Sequence, residues 1–184
     1  MTVVSCLGDS ITEGSPHWNA RTETGDPESR WQHWAALRRP GLTFLNHGVW
    51  GELTDEIAVR FDEAVEGAEV LIVQGGINDI AQGRPVDGAA STLEHLVRRG
   101  LALGLPVAVC DVLPWNNGWP RAEQPIRALN ARIRAFGVPV LPFHDTLEDP
   151  ERPGLMKDDW TDADGDHPSV AGYRRLGERA FRLP

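Results

Sequence analysis

Short apolar runs at residues 3–7, 42–46, 69–74, 106–112 and 139–141 alternate with longer amphipathic segments. The runs are rich in Val, Leu and Ile without polar alternation, as expected of strands buried on both faces. Such an order predicts a parallel sheet covered by helices on both faces. Asp26-Pro27 reads as an N-cap with proline in the first turn, opening a helix through Arg38. Thr54 reads as the cap of a second helix, with Asp55 and Glu56 favoured by the helix dipole. Ile57, Ala58, Phe61 and Val65 would form its apolar stripe. Further helices are expected over 87–103, 121–136 and 169–181, while residues 142–166, rich in Pro, Asp and Gly, read as a long surface loop.

A chain of 184 residues is long enough to bury its own core, and nothing resembling a linker divides it, so one domain over 1–184 is expected. The net charge of -9 argues against nucleic acid as a partner, because phosphate binding needs clustered Lys and Arg. Arg38-Arg39, Arg98-Arg99 and Arg174-Arg175 are short pairs set among acids and read as solvated helix faces. No stretch reaches the roughly 18 apolar residues of a membrane helix. The first strand starts at Val3 with no basic region or long apolar region before it. The expectation is a cytoplasmic protein, or a mature form whose leader has been removed. Cys6 and Cys110 both lie in apolar runs and read as buried free thiols.

In an open parallel sheet, ligands bind beyond the carboxyl ends of the strands. The residues just past each strand therefore matter most. After the first strand comes Gly8-Asp9-Ser10, and after the second "NHGVWG", holding Asn46, Gly48 and Gly51. "GGIND" succeeds the third, "LPWNNGW" the fourth, and "DGDHP" precedes the last helix. Alone, each is an ordinary turn or cap. Together they fall on one predicted edge.

That ordered set resembles the SGNH hydrolases, also called the GDSL esterase/lipase family. Gly8-Asp9-Ser10-Ile11-Thr12 is similar to its first block, with Ile11 in place of leucine. Gly48 matches the glycine of the second block, Gly76-Ile77-Asn78-Asp79 the third, and Asp164-Gly165-Asp166-His167 the last. The resemblance implies a flavodoxin-like three-layer α/β/α sandwich with a five-stranded parallel sheet. It also implies a serine ester hydrolase that needs no cofactor or metal. Its oxyanion donors would be the backbone N–H groups of Ser10 and Gly48 and the side-chain amide of Asn78.

The chemistry asks for the same residue types. Acyl transfer needs an activated nucleophile, a base, a group orienting that base, and oxyanion donors. Ser10 sits where strand becomes loop, and His167 has an imidazole able to take up and return a proton near neutral pH. Asp164, three residues earlier, can fold back onto the other ring nitrogen. Asp166 competes for that orienting role, but adjacent side chains generally diverge, and the family pattern selects Asp164. A calcium loop in "DDWTDADGDH" fails, because Trp160 and Ala171 would occupy its two end ligand positions. No Gly-x-Ser-x-Gly elbow or phosphate-binding loop occurs.

Seven Trp against one Tyr singles out the loops. Trp18, Trp50, Trp115 and Trp119 come after strands at the predicted site edge, with Asn116 and Asn117 beside Trp115. Aromatic walls with polar neighbours suit a small-molecule ester, of small-acyl or carbohydrate type. Trp18, Trp50, Trp115, Asn116 and Trp119 are the candidate substrate contacts. Trp31 and Trp34, at helical spacing with Leu37, are expected in the core. The alternatives are a thioesterase or lysophospholipase-type acylhydrolase, and an inactive module of the same fold that only binds ligand.

Overall fold

A computed structural model describes residues 1–184. Five strands form the sheet: β1 (Thr2–Gly8), β2 (Leu42–Gly48), β3 (Val70–Val73), β4 (Val107–Cys110) and β5 (Val140–Leu141). All neighbours are parallel, in the order β2-β1-β3-β4-β5. Helices α1 (Trp31–Arg38), α2 (Thr54–Val59), α3 (Val86–Ala102), α4 (Glu123–Ile133) and α5 (Val170–Arg175) cover it. This is the expected flavodoxin-like three-layer arrangement. No helix is long and apolar enough to cross a membrane.

Alternation along the strands makes two cores, since successive side chains point to opposite faces. Leu7, Leu71, Val73, Val107 and Val109 pack against α3 and α4 through Leu93, Leu96, Leu129 and Ile133. Val4, Cys6, Ile72, Ala108 and Cys110 face the other way, onto Trp31 and Ala35 of α1 and onto Tyr173 and Phe181 near the C-terminus. Trp31 is the hub of that second layer, 5.7 Å from the Phe143 ring and 5.8 Å from those of Phe44 and Phe181. Emptying such a site costs about 3–5 kcal/mol.

Several expectations need correction. The helix expected from Pro27 is split: Asp26 does cap a turn, Pro27–Ser29, but Arg30 is extended and α1 starts at Trp31. Arg30 leaves the helical path and lays its guanidinium on the Trp18 ring, 3.8 Å from its centroid. Thr54 is the first residue of α2 and not its cap; its N–H and Oγ1 both donate to the Asp79 carboxylate, at 2.9 and 3.0 Å. Phe61 lies beyond α2 in a separate turn, Phe61–Ala64. Within 142–166 the structure is far from a bare loop. It holds a helix, Phe143–Leu147, an antiparallel pair, Glu148–Asp149 with Arg152–Met156, and a turn, Asp158–Trp160. Phe143, Leu147 and Met156 are fully buried in the second core, so this segment is part of a layer. Trp31 is buried as expected, but Trp34 is only half-buried and Leu37 is exposed, because the stripe that faces the core continues to Ala35 instead.

Candidate active site

β1 delivers its carboxyl end to a one-turn helix, Ser10–Glu13, whose first residue is Ser10. Asp9 shapes this turn by accepting the Ile11 N–H on Oδ1 at 3.0 Å. Gln74, just past β3, accepts from the Asp9 N–H at 3.2 Å and from Thr12 Oγ1 at 2.8 Å. The Ser10 loop is therefore stitched to the neighbouring strand end from below.

His167 comes 157 residues later, yet its Nε2 lies 3.0 Å from Ser10 Oγ. Its Nδ1 lies 2.6 Å from Asp164 Oδ2. The other oxygen of Asp164 accepts the N–H groups of Asp166 and His167, at 2.8 and 3.0 Å. Asp166 turns away and accepts the Trp115 indole N–H at 2.6 Å. Of the two aspartates beside His167, the geometry thus puts Asp164 on the ring.

The two acids around Ser10 are displaced in opposite directions. Burial would raise the Asp164 carboxyl, but the His167 ring and the two backbone N–H groups outweigh it and hold it below its usual value. Asp9 is fully buried, and burial pushes its carboxyl up to about 6, against the Ile11 N–H and the charge of His167. Its Oδ2 has no hydrogen-bond partner.

The glycine of the second motif is where the sequence reading fails. β2 runs two residues further than expected and stays in register to its end, with Gly8 opposite Gly48. The Gly48 N–H donates to Asn46 Oδ1 at 3.0 Å and so is not free for a ligand. A Cβ on Gly48 would collide with the Glu13 backbone, so this glycine serves close packing of β2 against the Ser10 turn. Gly51 is the one that lines the cleft, with φ of 78° and open space beside it. Neither the Gly51 nor the Ser10 N–H is taken by another group of the chain. Asn78, in the turn after β3, also lines the cleft and donates one amide hydrogen to Glu52 O at 2.9 Å.

A residue that sequence reasoning missed underlies this loop. Arg60 donates to Gly8 O at 3.0 Å, to His47 O at 2.8 Å and to the Glu52 carboxylate at 2.9 Å. One guanidinium thereby ties the ends of β1 and β2 to the residue after Gly51. Nothing in the sequence signals this, because the carbonyls it reads carry no side-chain identity.

The cleft has a volume of about 340 Å³ and is lined by Ser10, His167, Gly51, Asn78, Trp50 and Trp115 among others. Of the expected substrate contacts, Trp50 and Trp115 line this cleft. Trp119 stands edge-on behind Trp115 with centroids 5.3 Å apart, and Trp18 lies beneath Arg30; neither lines the cleft. Asn116 is a clamp within the fold: its amide donates to Met156 O at 2.9 Å and Thr161 Oγ1 at 3.1 Å, and accepts from the Met156 N–H at 2.6 Å. His144, Asp145 and Glu148 come close enough to share an ion. However, Arg127 already sits 2.7 Å from Glu148 and Arg134 lies 3.6 Å from Asp145, and none of the three lines the cleft.

Residues 6–175 match the model of the GDSL-like lipase/acylhydrolase family. No curated protein sequence matches the chain. Solved structures share the fold at low identity. A member of the lipolytic protein G-D-S-L family from Veillonella parvula DSM 2008 superposes with a TM-score of 0.79 at 20% identity, covering 98% of this chain and 96% of that one. A GDSL-like lipase from Bacteroides thetaiotaomicron VPI-5482 gives 0.76 at 23% identity over 96% and 84%. The psychrotrophic esterase EstA from Pseudoalteromonas sp., in a structure inhibited by monoethylphosphonate, gives 0.73 at 18% identity over 97% and 93%.

Proposed function

Because the chain belongs to the GDSL-like lipase/acylhydrolase family and is an ester hydrolase of that type, we propose that it works through an acyl-enzyme on Ser10 and acts on small-acyl esters, including those of carbohydrate-type alcohols. The observation carrying this reading is the unbroken line from Ser10 Oγ through His167 to Asp164, opening on a small cleft.

In this mechanism neutral His167 holds its Nδ1 proton toward Asp164 and accepts the Ser10 hydroxyl proton on Nε2. Oγ bonds to the ester carbonyl carbon, and the oxyanion is met by the N–H groups of Ser10 and Gly51 and the second amide hydrogen of Asn78. Collapse breaks the carbon–alcohol oxygen bond as Nε2 returns its proton to the leaving alcohol. Water then adds to the acyl carbon while giving a proton to Nε2, and the Oγ–acyl bond breaks as Ser10 recovers that proton. The free acid leaves. Asp164 stays ionised throughout and stabilises the imidazolium, in keeping with its lowered carboxyl.

A cleft of about 340 Å³ holds a short acyl group better than a long chain, and the Trp50 and Trp115 rings offer stacking faces for a sugar. The test is labelling with an organophosphonate and mass spectrometry of the product, together with a panel of acetyl to decanoyl esters. Label on Ser10 that is lost in Ser10→Ala, with acetyl esters preferred, is the expected result. An unlabelled Ser10 overturns the acyl-enzyme, and a clear preference for decanoyl overturns the small-acyl assignment.

A further inference from the structure

The stretch before His167 is dense in acids, and nearly all of them have an arginine, lysine or histidine partner. Asp158 pairs with Arg152, Asp159 with Lys157, Asp162 with His17, and Asp164 with His167. Asp166 alone has no basic partner; its contact is the neutral Trp115 indole N–H. It also lines the cleft, where no Lys or Arg accompanies it. An ester-binding cleft therefore carries one uncompensated carboxylate, held against an indole ring.

The chemistry complementary to that pair is cationic. A carboxylate attracts an ammonium group through charge, and an indole face attracts it through the ring quadrupole. Both are stronger in a partly dehydrated cleft than in water. The same carboxylate repels anionic acyl carriers and phosphorylated alcohols. His167 returns its proton to the leaving alcohol, so that alcohol lies at the imidazole, and Asp166 lines the same cleft as His167. The acyl carbonyl belongs instead with Gly51 and Asn78.

We infer that the alcohol half of the substrate carries an ammonium group, received by Asp166 and the Trp115 face. This rests on the hydrolase reading above and, among its small-acyl esters, selects those of an amino-alcohol over those of a carbohydrate-type alcohol. Trp115 then does two things: its N–H fixes the carboxylate, and its ring forms part of the seat. Trp119, packed edge-on behind it, keeps that ring in place.

The test compares kcat/KM for 2-(trimethylammonio)ethyl acetate with that for 3,3-dimethylbutyl acetate, its uncharged isostere. The wild-type ratio is expected to favour the cation by about tenfold at low salt. In Asp166→Asn the ratio should fall several-fold, whatever the absolute rates do, leaving only the contribution of the Trp115 face. Calorimetric binding of tetramethylammonium to Ser10→Ala supplies an arm that needs no turnover, and adding Asp166→Asn should weaken it by a similar factor. Should Asp166→Asn fail to fold, Trp115→Phe keeps a ring but removes the N–H and should reduce the ratio.

Equal rates for the two esters, or a ratio unchanged in both variants, would falsify the cationic seat while leaving the hydrolase reading intact. Phosphonate labelling failing at Ser10 would instead count against the mechanism. If neither ester turns over, the calorimetric arm decides: binding of tetramethylammonium lost with Asp166 supports the seat, and no binding overturns it.

Discussion

Asp164 holds His167 at two points, through the ring Nδ1 at 2.6 Å and through the backbone N–H at 3.0 Å. The double grip fixes where the imidazole stands as well as which tautomer it adopts. A carboxamide at this position could still accept the backbone N–H, but it would present an N–H donor or a neutral acceptor to the ring. Asp164→Asn is therefore expected to lower kcat by about 10⁴-fold with little change in KM. Steady-state kinetics on an acetyl ester checks this. A carboxyl held below its usual value stabilises the fold above the ordinary carboxylate range, and loses that contribution as pH falls through the folded value. Any Tm difference between the two proteins arising from this group should thus disappear in acid.

Arg60 supports the loop that carries Gly51 without lining the cleft itself. Arg60→Ala should leave KM near its original value and reduce kcat by about 10²-fold, the penalty for a misplacement of roughly 1 Å. Arg60→Lys should recover little of this, since an ammonium cannot span two carbonyls and a carboxylate as the guanidinium does. A fall confined to KM would argue against a positioning role.

The two glycines of "NHGVWG" should respond differently to alanine. At Gly48 the added methyl meets the Glu13 backbone and has nowhere to move, so Gly48→Ala should destabilise the fold by about 3 kcal/mol or more. At Gly51 there is space, and only the positive φ is penalised, so Gly51→Ala should cost about 1–2 kcal/mol. Urea unfolding of the two variants gives the comparison.

Asp9 makes the opposite contribution to that of Asp164. Its carboxyl is raised from 3.8 to about 6, so the native state binds the proton more tightly than the unfolded chain does. Stability from this group is greatest below pH 3.8 and declines as pH rises through about 6, by something on the order of 3 kcal/mol. Asp9→Asn cannot ionise and should remove that slope. Denaturant midpoints measured from about pH 4 to 8 would show a flatter profile for the variant than for the wild type.

Much of this was legible in the sequence because it is written in side-chain types. The apolar runs gave strands that differ from the observed ones mainly at their ends, and "GDS" and "DGDH" lie within hydrogen-bonding reach of each other, as the motifs implied. What was not legible depended on backbone extent and on packing between distant segments. Ending β2 at Asn46 made Gly48 look like a loop residue, whereas two more ladder positions passed the cleft-facing role to Gly51. Composition made 142–166 look like a loop, but Phe143, Leu147 and Met156 are enough to pull it into the second core. Asn116 looked like a substrate contact because its neighbours are tryptophans, yet its partner, Met156, lies 40 residues away.

Ser10 and His167 lie 157 residues apart in the chain and 3.0 Å apart in the fold. A nascent chain that has completed β1 through β5 already contains the proposed nucleophile, but neither the proposed base nor the proposed orienting acid. With those roles, hydrolysis reports on closure of the fold from Ser10 to His167, and a fragment ending before Asp164 should be inert however well its sheet has formed.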